Sequence, residues 1–595
     1  MTPAAEYQVR LEARRQALAA HTQASARLSA ARFATGLAGV FVFWFTFVHH
    51  GASPFWMLAP IAVFLVLARY HERTLRALDR ARRGQHYYLR ALARLDGSWQ
   101  QFGETGARFL DPHHPYAASL DLFGPGSLFQ LLSSARTLAG EQTLARWLLS
   151  PAAPAEIAAR QQAVSDLRPR LDLREEMFLL GDDIRAGVHP DALARWGAAA
   201  PVLPGRAVRL AAFVLPALTL AGLALWALNG SRILFLISAS AQALLAFRLR
   251  PLVHHVLESL DAPARELQLI AALLRRIESE PFDAPLLSGL SARFAAQPSR
   301  HIHRLARFVE FAAQAHNAFF APIAATLLWS LHFAWAIEAW RDAHGASIAR
   351  WLEALGEFEA LSSLAVYAAG RPADPFPELR EGPPLYDGEN LAHPLLPPDR
   401  AVPNSLRLSS AEPLIIVSGS NMSGKSTLLR TIGVNAVLAF AGAPVRASRL
   451  TLTPFALGAS IRVVDSLQEG SSRFFAEITQ LRRLVDLARG PVPLLFLLDE
   501  ILSGTNSHDR RIGAAAILRG LLRLGAAGLV TTHDLALTRI AEAVEPPGLN
   551  LHFEDHLEQG RIVFDYRIRP GVVAKSNALA LMRSIGLDVD VAAPL

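Results

Sequence analysis

Nine consecutive residues, Gly419-Ser420-Asn421-Met422-Ser423-Gly424-Lys425-Ser426-Thr427, follow the apolar run Leu414-Ile415-Ile416-Val417-Ser418 and precede a stretch of helical apolar spacing. A β run, then G-x-x-x-x-G-K-S, then a helix is the layout of a phosphate-binding P-loop. The glycines let backbone N–H groups close around phosphate oxygens, and the helix start adds the positive end of its dipole. In such a loop Lys425 reaches the β and γ phosphates and Ser426 ligates Mg²⁺. The chain holds only two lysines, Lys425 and Lys575, among 59 basic residues. A sequence that writes nearly every cation as arginine still places lysine where a compact ammonium fits between phosphates and a planar guanidinium does not.

Two further stretches carry partner chemistry. Leu494-Leu495-Phe496-Leu497-Leu498-Asp499-Glu500 reads as a buried strand ending in two acids. Asp499 is expected to share the Mg²⁺ with Ser426, and Glu500 to orient or deprotonate the attacking water. Thr531-Thr532-His533-Asp534 closes another apolar strand, which places His533 to sense a γ-phosphate. The alternatives are a helix-capping Asp-Glu pair and a structural histidine.

These side chains need a sheet to hold them. Apolar β runs at 414–418, 494–498, 528–532 and 562–567, with helical spacing between them, predict a doubly wound α/β domain over 386–595. Upstream, 91–385 reads as an all-α core, and the proline-rich stretch 371–403 marks the boundary.

Composition adds a different element. Hydrophobic residues are 51% of the 595, charged residues 19%, and mean hydropathy is +0.23. That is more apolar than soluble chains and points to membrane segments. Residues 33–68 contain no Asp, Glu, Lys or Arg and break near His49-His50-Gly51 and Pro54. Two spans result, about 33–48 and 52–68. Arg27 and Arg32 precede them and Arg69, Arg73, Arg76, Arg80, Arg82 and Arg83 follow. Arginine on both outer flanks, and none in the connecting loop, predicts cytoplasmic ends. The pattern recurs at 210–228 and 233–247, joined by Asn229-Gly230 and flanked by Arg206, Arg209, Arg248 and Arg250. The expectation is two transmembrane hairpins in the plasma (inner) membrane, multi-pass and in contact with lipid, with the ATPase domain in the cytoplasm. A third uncharged stretch, 311–337, carries Gln314, His316, Asn317 and His332. Those polar residues suit a buried core helix better than lipid. The net charge of +7 suits nucleic acid or an anionic membrane surface, and the absence of cysteine excludes disulfides and thiolate metal sites.

The N-M-x-G-K-S-T core (Asn421 to Thr427) resembles the MutS version of the P-loop. The run from Asp499 through Gly504-Thr505 to Asp509 is similar to the MutS D-E-I-x-x-G-T-x-x-x-D stretch. Gly470 to Glu477 resembles the family's G-x-S-T-F-x-x-E segment. His393-Pro394 and Asn404 fit the entry to that ATPase domain, and Tyr566, Gly571, Ser576 and Gly586 fit its closing segment. Gly140, Trp147, Leu148, Pro151 and Arg160 are similar to its helical core. The resemblance spans roughly 91–200 and 250–595. It implies an ATPase that uses ATP and Mg²⁺ and works as a homodimer with composite sites, in which Ser472 reaches the partner subunit's nucleotide. It also implies double-stranded DNA as a partner and mismatch-repair-like work.

The chain departs from that pattern in three places. Arg473 stands where the family has threonine. The tripeptide Phe-x-Glu occurs at Phe102, Phe308 and Phe376, but none of these lies in a preceding α/β domain, so no mismatch reader is expected. The second hairpin interrupts the helical core roughly where family members insert a DNA clamp. The rival expectation is therefore a membrane-associated, ATP-driven switch or scaffold with no part in mismatch recognition.

Overall fold

The structure is a computed structural model that describes residues 2–180, 189–259, 264–420, 422–461, 473–558 and 561–573. Its chain forms two compact units, one of Met1–Ala91, Ala135–Gln142 and Arg170–Glu359, the other of Leu92–Ser134, Thr143–Pro169 and Ala360–Leu595.

The first unit is helical throughout its described residues. Its main helices are α1 (Pro3–Phe43), α2 (Leu58–Asp96), α3 (Arg206–Asn229), α4 (Ile233–Ser259), α5 (Ala264–Glu278), α6 (Pro298–Gln314), α7 (Ala321–Thr326), α8 (Trp329–His344) and α9 (Ile348–Gly370). Helices α1 and α2 run antiparallel. Ser25 Oγ lies 3.1 Å from His71 Nε2, and Arg32 Nη1 lies 2.8 Å from His71 Nδ1. Both helices extend far beyond the apolar spans that the sequence marks, because their charged flanks keep helical spacing and find partners. Arg14 Nε donates to Glu175 at 2.7 Å, and the fully buried Tyr88 donates to the same carboxylate at 2.6 Å.

Helices α3 and α4 form the second hairpin across the expected Asn229-Gly230 turn, where Gly230 N–H bonds Trp226 O at 3.0 Å. The helices pack closely at Gly222, where a Cβ would stand 2.6 Å from Phe235 N. Small residues at such crossings are what membrane helix pairs use to approach. Among the described residues four helices are long and apolar enough to cross a membrane: Pro3–Val48, Pro54–Asp96, Arg206–Asn229 and Ile233–Glu258. Their apolar residues stand uncovered, with Phe55 79% and Leu228 84% exposed. The stretch 311–337 is not one core helix. It breaks into the end of α6, then α7, then α8, and it joins a buried cluster through Leu328, Leu331 and Trp335, at the start of α8.

Glu359 on α9 is fully buried and accepts from Arg136 N–H at 2.8 Å and from the Thr137 hydroxyl. Burial pushes its carboxyl up to about 7, against the pull of those two donors. The raised value means the folded state holds the proton more tightly than the unfolded one. The resulting stability is complete below about 4.5 and is lost as pH rises through about 7. Glu359→Gln, neutral at every pH, is expected to abolish this loss. Thermal unfolding of the detergent-solubilised protein across that range checks it: the wild-type melting temperature falls with rising pH and that of the variant stays level.

The second unit is built on two sheets. Strands β1 (Glu378–Leu379), β2 (Leu385–Leu391), β3 (Asn404–Ser409) and β5 (Arg449–Leu452) form the smaller, in the order β1-β5-β2-β3. Strands β4 (Leu414–Ser418), β6 (Ala456–Ser460), β7 (Leu494–Asp499), β8 (Ala527–Thr532), β9 (Leu549–Glu558) and β10 (Arg561–Pro570) form the larger, in the order β10-β9-β4-β8-β7-β6. The five strands β9-β4-β8-β7-β6 are parallel, and β10 is an antiparallel edge. Alternation sorts the strand residues to two faces. Leu494, Phe496 and Leu498 join a core with α11 (Arg473–Ala488), α12 (Ser507–Arg523) and α13 (Leu535–Ala543). Leu497, of the other parity, meets α10 (Lys425–Ala441) at Gly433. Helices thus cover both faces, as a mostly parallel sheet requires. The chain leaves β4 for the far edge, returns through β7 and β8, and later adds β9 on the opposite side. The order therefore reverses at β4, and a crevice opens beyond its carboxyl end.

The segment 92–134 belongs to this unit. Ser119 accepts from Arg430 Nε at 3.0 Å through its carbonyl and donates to Ala459 O at 3.2 Å through its hydroxyl. Arg160, counted above among the helical-core residues, lies 3.8 Å over the Trp147 ring.

Candidate functional site

The crevice at β4 is where the sequence-marked side chains meet. Gly419 and Ser420 follow β4, and Gly424, at φ +102, is the residue before α10. That left-handed conformation suits glycine. A Cβ there would also stand 3.1 Å from the Tyr566 ring. Lys425 is buried and its ammonium donates back across the loop, to Gly419 O at 2.9 Å and Ser420 O at 2.7 Å. Burial lowers its pKa, while the fields of Glu500 and Asp499 oppose the shift. Both acids therefore lie close enough to act on the lysine. The hydroxyls of Ser420 and Ser423 are buried with no hydrogen-bond partner among the described residues. The loop thus presents a cation, two unused hydroxyls and a helix start to one small volume, an arrangement suited to an anion.

The end of β7 supplies both acids, and the end of β8 the histidine. Asp499 ends β7 in register with Thr531 on β8, and the Thr531 hydroxyl donates to its carboxylate. Glu500 follows in a left-handed conformation at φ 53, held by its N–H to Thr531 O at 3.1 Å. Its Oε1 lies 3.1 Å from His533 Nδ1. The His533 turn is fixed on both sides: Thr532 Oγ1 accepts from Asp534 N–H at 3.0 Å, and Asp534 caps α13 through Ala536 N–H at 2.9 Å. Glu500 and His533 thus form a half-exposed pair beside a buried lysine.

Several contributors were not assigned roles from sequence. Buried Glu477 on α11 accepts from Leu502 N–H at 2.5 Å, and Arg510 Nε donates to Ile501 O at 2.9 Å. Together they clamp the turn that follows Glu500. A cavity of about 860 Å³ runs from Gly424, Lys425, Ser426 and Glu500 to an apolar wall that includes Leu396, Val402, Phe553 and Tyr566. Asn404 fixes that wall by donating to Tyr566 O at 2.9 Å and accepting from Ile568 N–H at 2.8 Å. His393, also lining the cavity, is held near 4 by burial and by Arg430 and Arg446, so it is neutral at pH 7. Its motif position was legible beforehand, and its contact with the cavity was not.

Gly419, Ser420, Met422, Ser423, Gly424, Lys425, Ser426 and Thr427 are brought together with Glu500 at this crevice, with Asp499 and His533 on adjacent strand ends. Asn421, Ser472, Ser576 and Gly586 lie outside the described residues. Among the described residues no group of three or more His, Asp or Glu side chains forms a self-sufficient metal site.

Residues 415–593 match the family description "MutS domain V". Endonuclease MutS2 of Thermus thermophilus is 34% identical over 257 residues, which is 42% of this chain and 32% of that protein. DNA mismatch repair protein MutS of Natronomonas pharaonis is 34% identical over 192 residues, 31% of this chain and 22% of that protein. Endonuclease MutS2 of Thermotoga neapolitana is 31% identical over 203 residues, 33% of this chain and 26% of that protein. The matched part spans about a third or less of each of these relatives. This chain therefore carries a MutS domain V at 415–593 and is homologous over that part to MutS2 and MutS proteins.

Proposed function

We propose that this protein is a membrane-anchored, MutS-like ATPase that binds and hydrolyses ATP with Mg²⁺ as a dimer. One observation carries the reading: a lone buried lysine in a loop with unused hydroxyls, near two consecutive carboxylates at the end of β7 and a histidine at the end of the adjacent parallel strand β8. Residues 419–427 act as a P-loop. Ser426 and Asp499 offer hard oxygen donors, which suit Mg²⁺, an ion bound through one or two carboxylates plus phosphate oxygens and water. Mg²⁺ held by Ser426 and Asp499 would neutralise phosphate charge. Glu500 orients and deprotonates the attacking water, and His533 fixes the Glu500 carboxylate through their hydrogen bond. The apolar wall at Phe553 and Tyr566 takes the flat base. Asn404→Ala, by releasing Tyr566, is expected to raise the KM for ATP roughly tenfold with little change in kcat, since base contacts are equal in ground and transition states.

The dimer, with Ser472 reaching across it, follows from the MutS resemblance. Anchoring by the two hairpins, in the plasma (inner) membrane with the ATPase domain in the cytoplasm, rests on the four uncovered apolar helices and their arginine flanks. DNA as the partner, in repair-like work, is supported by the relatives, an endonuclease MutS2 and a DNA mismatch repair protein MutS, and by the net charge of +7. The rival output is a membrane conformational switch without mismatch recognition, and the uncovered hairpins favour it. ATPase rate of the detergent-purified protein with and without homoduplex, mismatched and branched DNA decides between them. Stimulation by DNA that fades with added salt supports the first. An unchanged rate, with no DNA binding at low salt, supports the second.

A further inference from the structure

Residues 311–337 contain no Asp, Glu, Lys or Arg, yet only part of this stretch is core. Between α6 and α8 the chain makes a 14-residue excursion, 315–328, that contains α7. Phe319 is 94% exposed and Ile323 52%.

The excursion is tied to the second hairpin at two levels. At the lower level, the Phe213 ring on α3 lies 4.2 Å from His332, and Leu328, Leu331 and Trp335 share a buried cluster with Ala212 and Leu249. At the upper level, buried Gln242 on α4 accepts from Thr219 Oγ1 on α3 at 2.9 Å. Its Nε2 donates to the carbonyls of Ala325 at 3.2 Å and Thr326 at 2.7 Å. Gln242 lies six residues before Arg248, and Thr219 ten after Arg209. At 1.5 Å per helical residue, Ala325 and Thr326 therefore stand about 9–15 Å beyond the arginines, well into the apolar part of the hairpin.

Entry into lipid requires backbone groups to be satisfied internally, and most N–H groups of the excursion are. His316, Asn317, Phe320, Ala324, Leu327 and Leu328 N–H groups all bond carbonyls within 313–325. Gln242 takes the carbonyls at the end of α7. The polar side chains are engaged locally as well: Asn317 Oδ1 accepts from Phe319 N–H at 3.0 Å, and Thr326 donates to Pro322 O at 2.9 Å. Trp329 donates to Phe311 O at 2.6 Å and clusters with Phe320 and Phe333, an aromatic group of the kind that sits at membrane interfaces.

We infer that residues 315–328 form a re-entrant loop that dips into the bilayer beside hairpin α3–α4, with Phe319 and Ile323 against the acyl chains. The inference rests on the membrane reading of that hairpin. The absence of cysteine makes single-cysteine labelling clean. Phe319→Cys, Leu218→Cys on the lipid-facing side of α3 and Ser288→Cys on an exposed helix of the same unit would each be labelled with an environment-sensitive fluorophore. Each labelled protein is then reconstituted into phosphatidylcholine–phosphatidylglycerol vesicles. Quenching by acyl-chain nitroxide lipids and by aqueous iodide is read for each. The expected result is that the Phe319 and Leu218 labels are quenched by the nitroxide lipids several-fold more than the Ser288 label and are protected from iodide. A Phe319 label that behaves like Ser288 while Leu218 remains lipid-quenched overturns the re-entrant loop alone. If both labels behave like Ser288, the membrane reading falls with it. A Phe319 label shielded from both quenchers means that a protein surface or a second copy covers it, which also overturns the assignment. Ile323→Cys repeats the test at a second position.

Discussion

Glu500→Gln is expected to lower ATP turnover by roughly 10²–10⁴-fold, the range that a positioned general base contributes, while ATP binding stays near wild type. The substitution keeps the shape of the side chain. The left-handed backbone at Glu500 is set by its N–H to Thr531 O and by the clamp from Glu477 and Arg510, none of which involves the Glu500 carboxylate. What is lost is the group that accepts the proton of water and the anionic partner of His533. Lys425→Ala should behave differently. Its ammonium lies in a buried loop, where an unpaired phosphate charge costs on the order of 2–5 kcal/mol, so ATP affinity falls by about 30-fold or more together with turnover. Binding of a fluorescent ATP analogue beside steady-state turnover separates the two. Equal loss of binding in both variants would sink the division of labour.

The full-length protein is expected to sediment with membranes, to resist alkaline carbonate and to be released by detergent. The apolar spans carry eight to ten Leu, Ile, Phe, Val or Trp residues each. At roughly 0.3–0.6 kcal/mol apiece, insertion gains on the order of 3–6 kcal/mol per span. Those residues stand uncovered, so removing them takes little from the core. Deletion of 33–68 should weaken membrane retention, and further removal of the second hairpin should release the protein. Recovery of the intact protein in the soluble fraction would overturn the anchor.

The site was legible where chemistry is contiguous in the chain. The loop around Lys425, the acids after β7 and the Thr-Thr-His-Asp turn each advertise themselves within ten residues, and each sits on an apolar run that became a parallel strand. The unread parts depend on pairing across long separations. Strand β2, Leu-Tyr-Asp-Gly-Glu-Asn-Leu, has poor intrinsic β propensity and lies in the proline-rich stretch taken as a boundary. It is a strand because β3 and β5 flank it. Strand β6, Ala-Leu-Gly-Ala-Ser, looks weak alone, and at Gly458 it packs closely on Leu484, whose Cδ2 would stand 2.4 Å from a Cβ there. The bond from Asn404 to Tyr566 spans 162 positions, and nothing local announces it. The hairpins were visible as uncharged runs between arginines. The break in 311–337 was not, because the side chain that holds it, Gln242, sits on another helix, 83 and 84 positions from the carbonyls it bonds.

The central claim is that the crevice at β4 hydrolyses ATP in a protein held in a membrane. Its most direct test is the turnover of ATP by the full-length protein in phosphatidylcholine–phosphatidylglycerol nanodiscs, with Mg²⁺ and with EDTA, beside Glu500→Gln in the same discs. Turnover that needs Mg²⁺ and disappears in Glu500→Gln is the predicted result. A wild-type rate no higher than the EDTA background, or a Glu500→Gln rate equal to wild type, would contradict it.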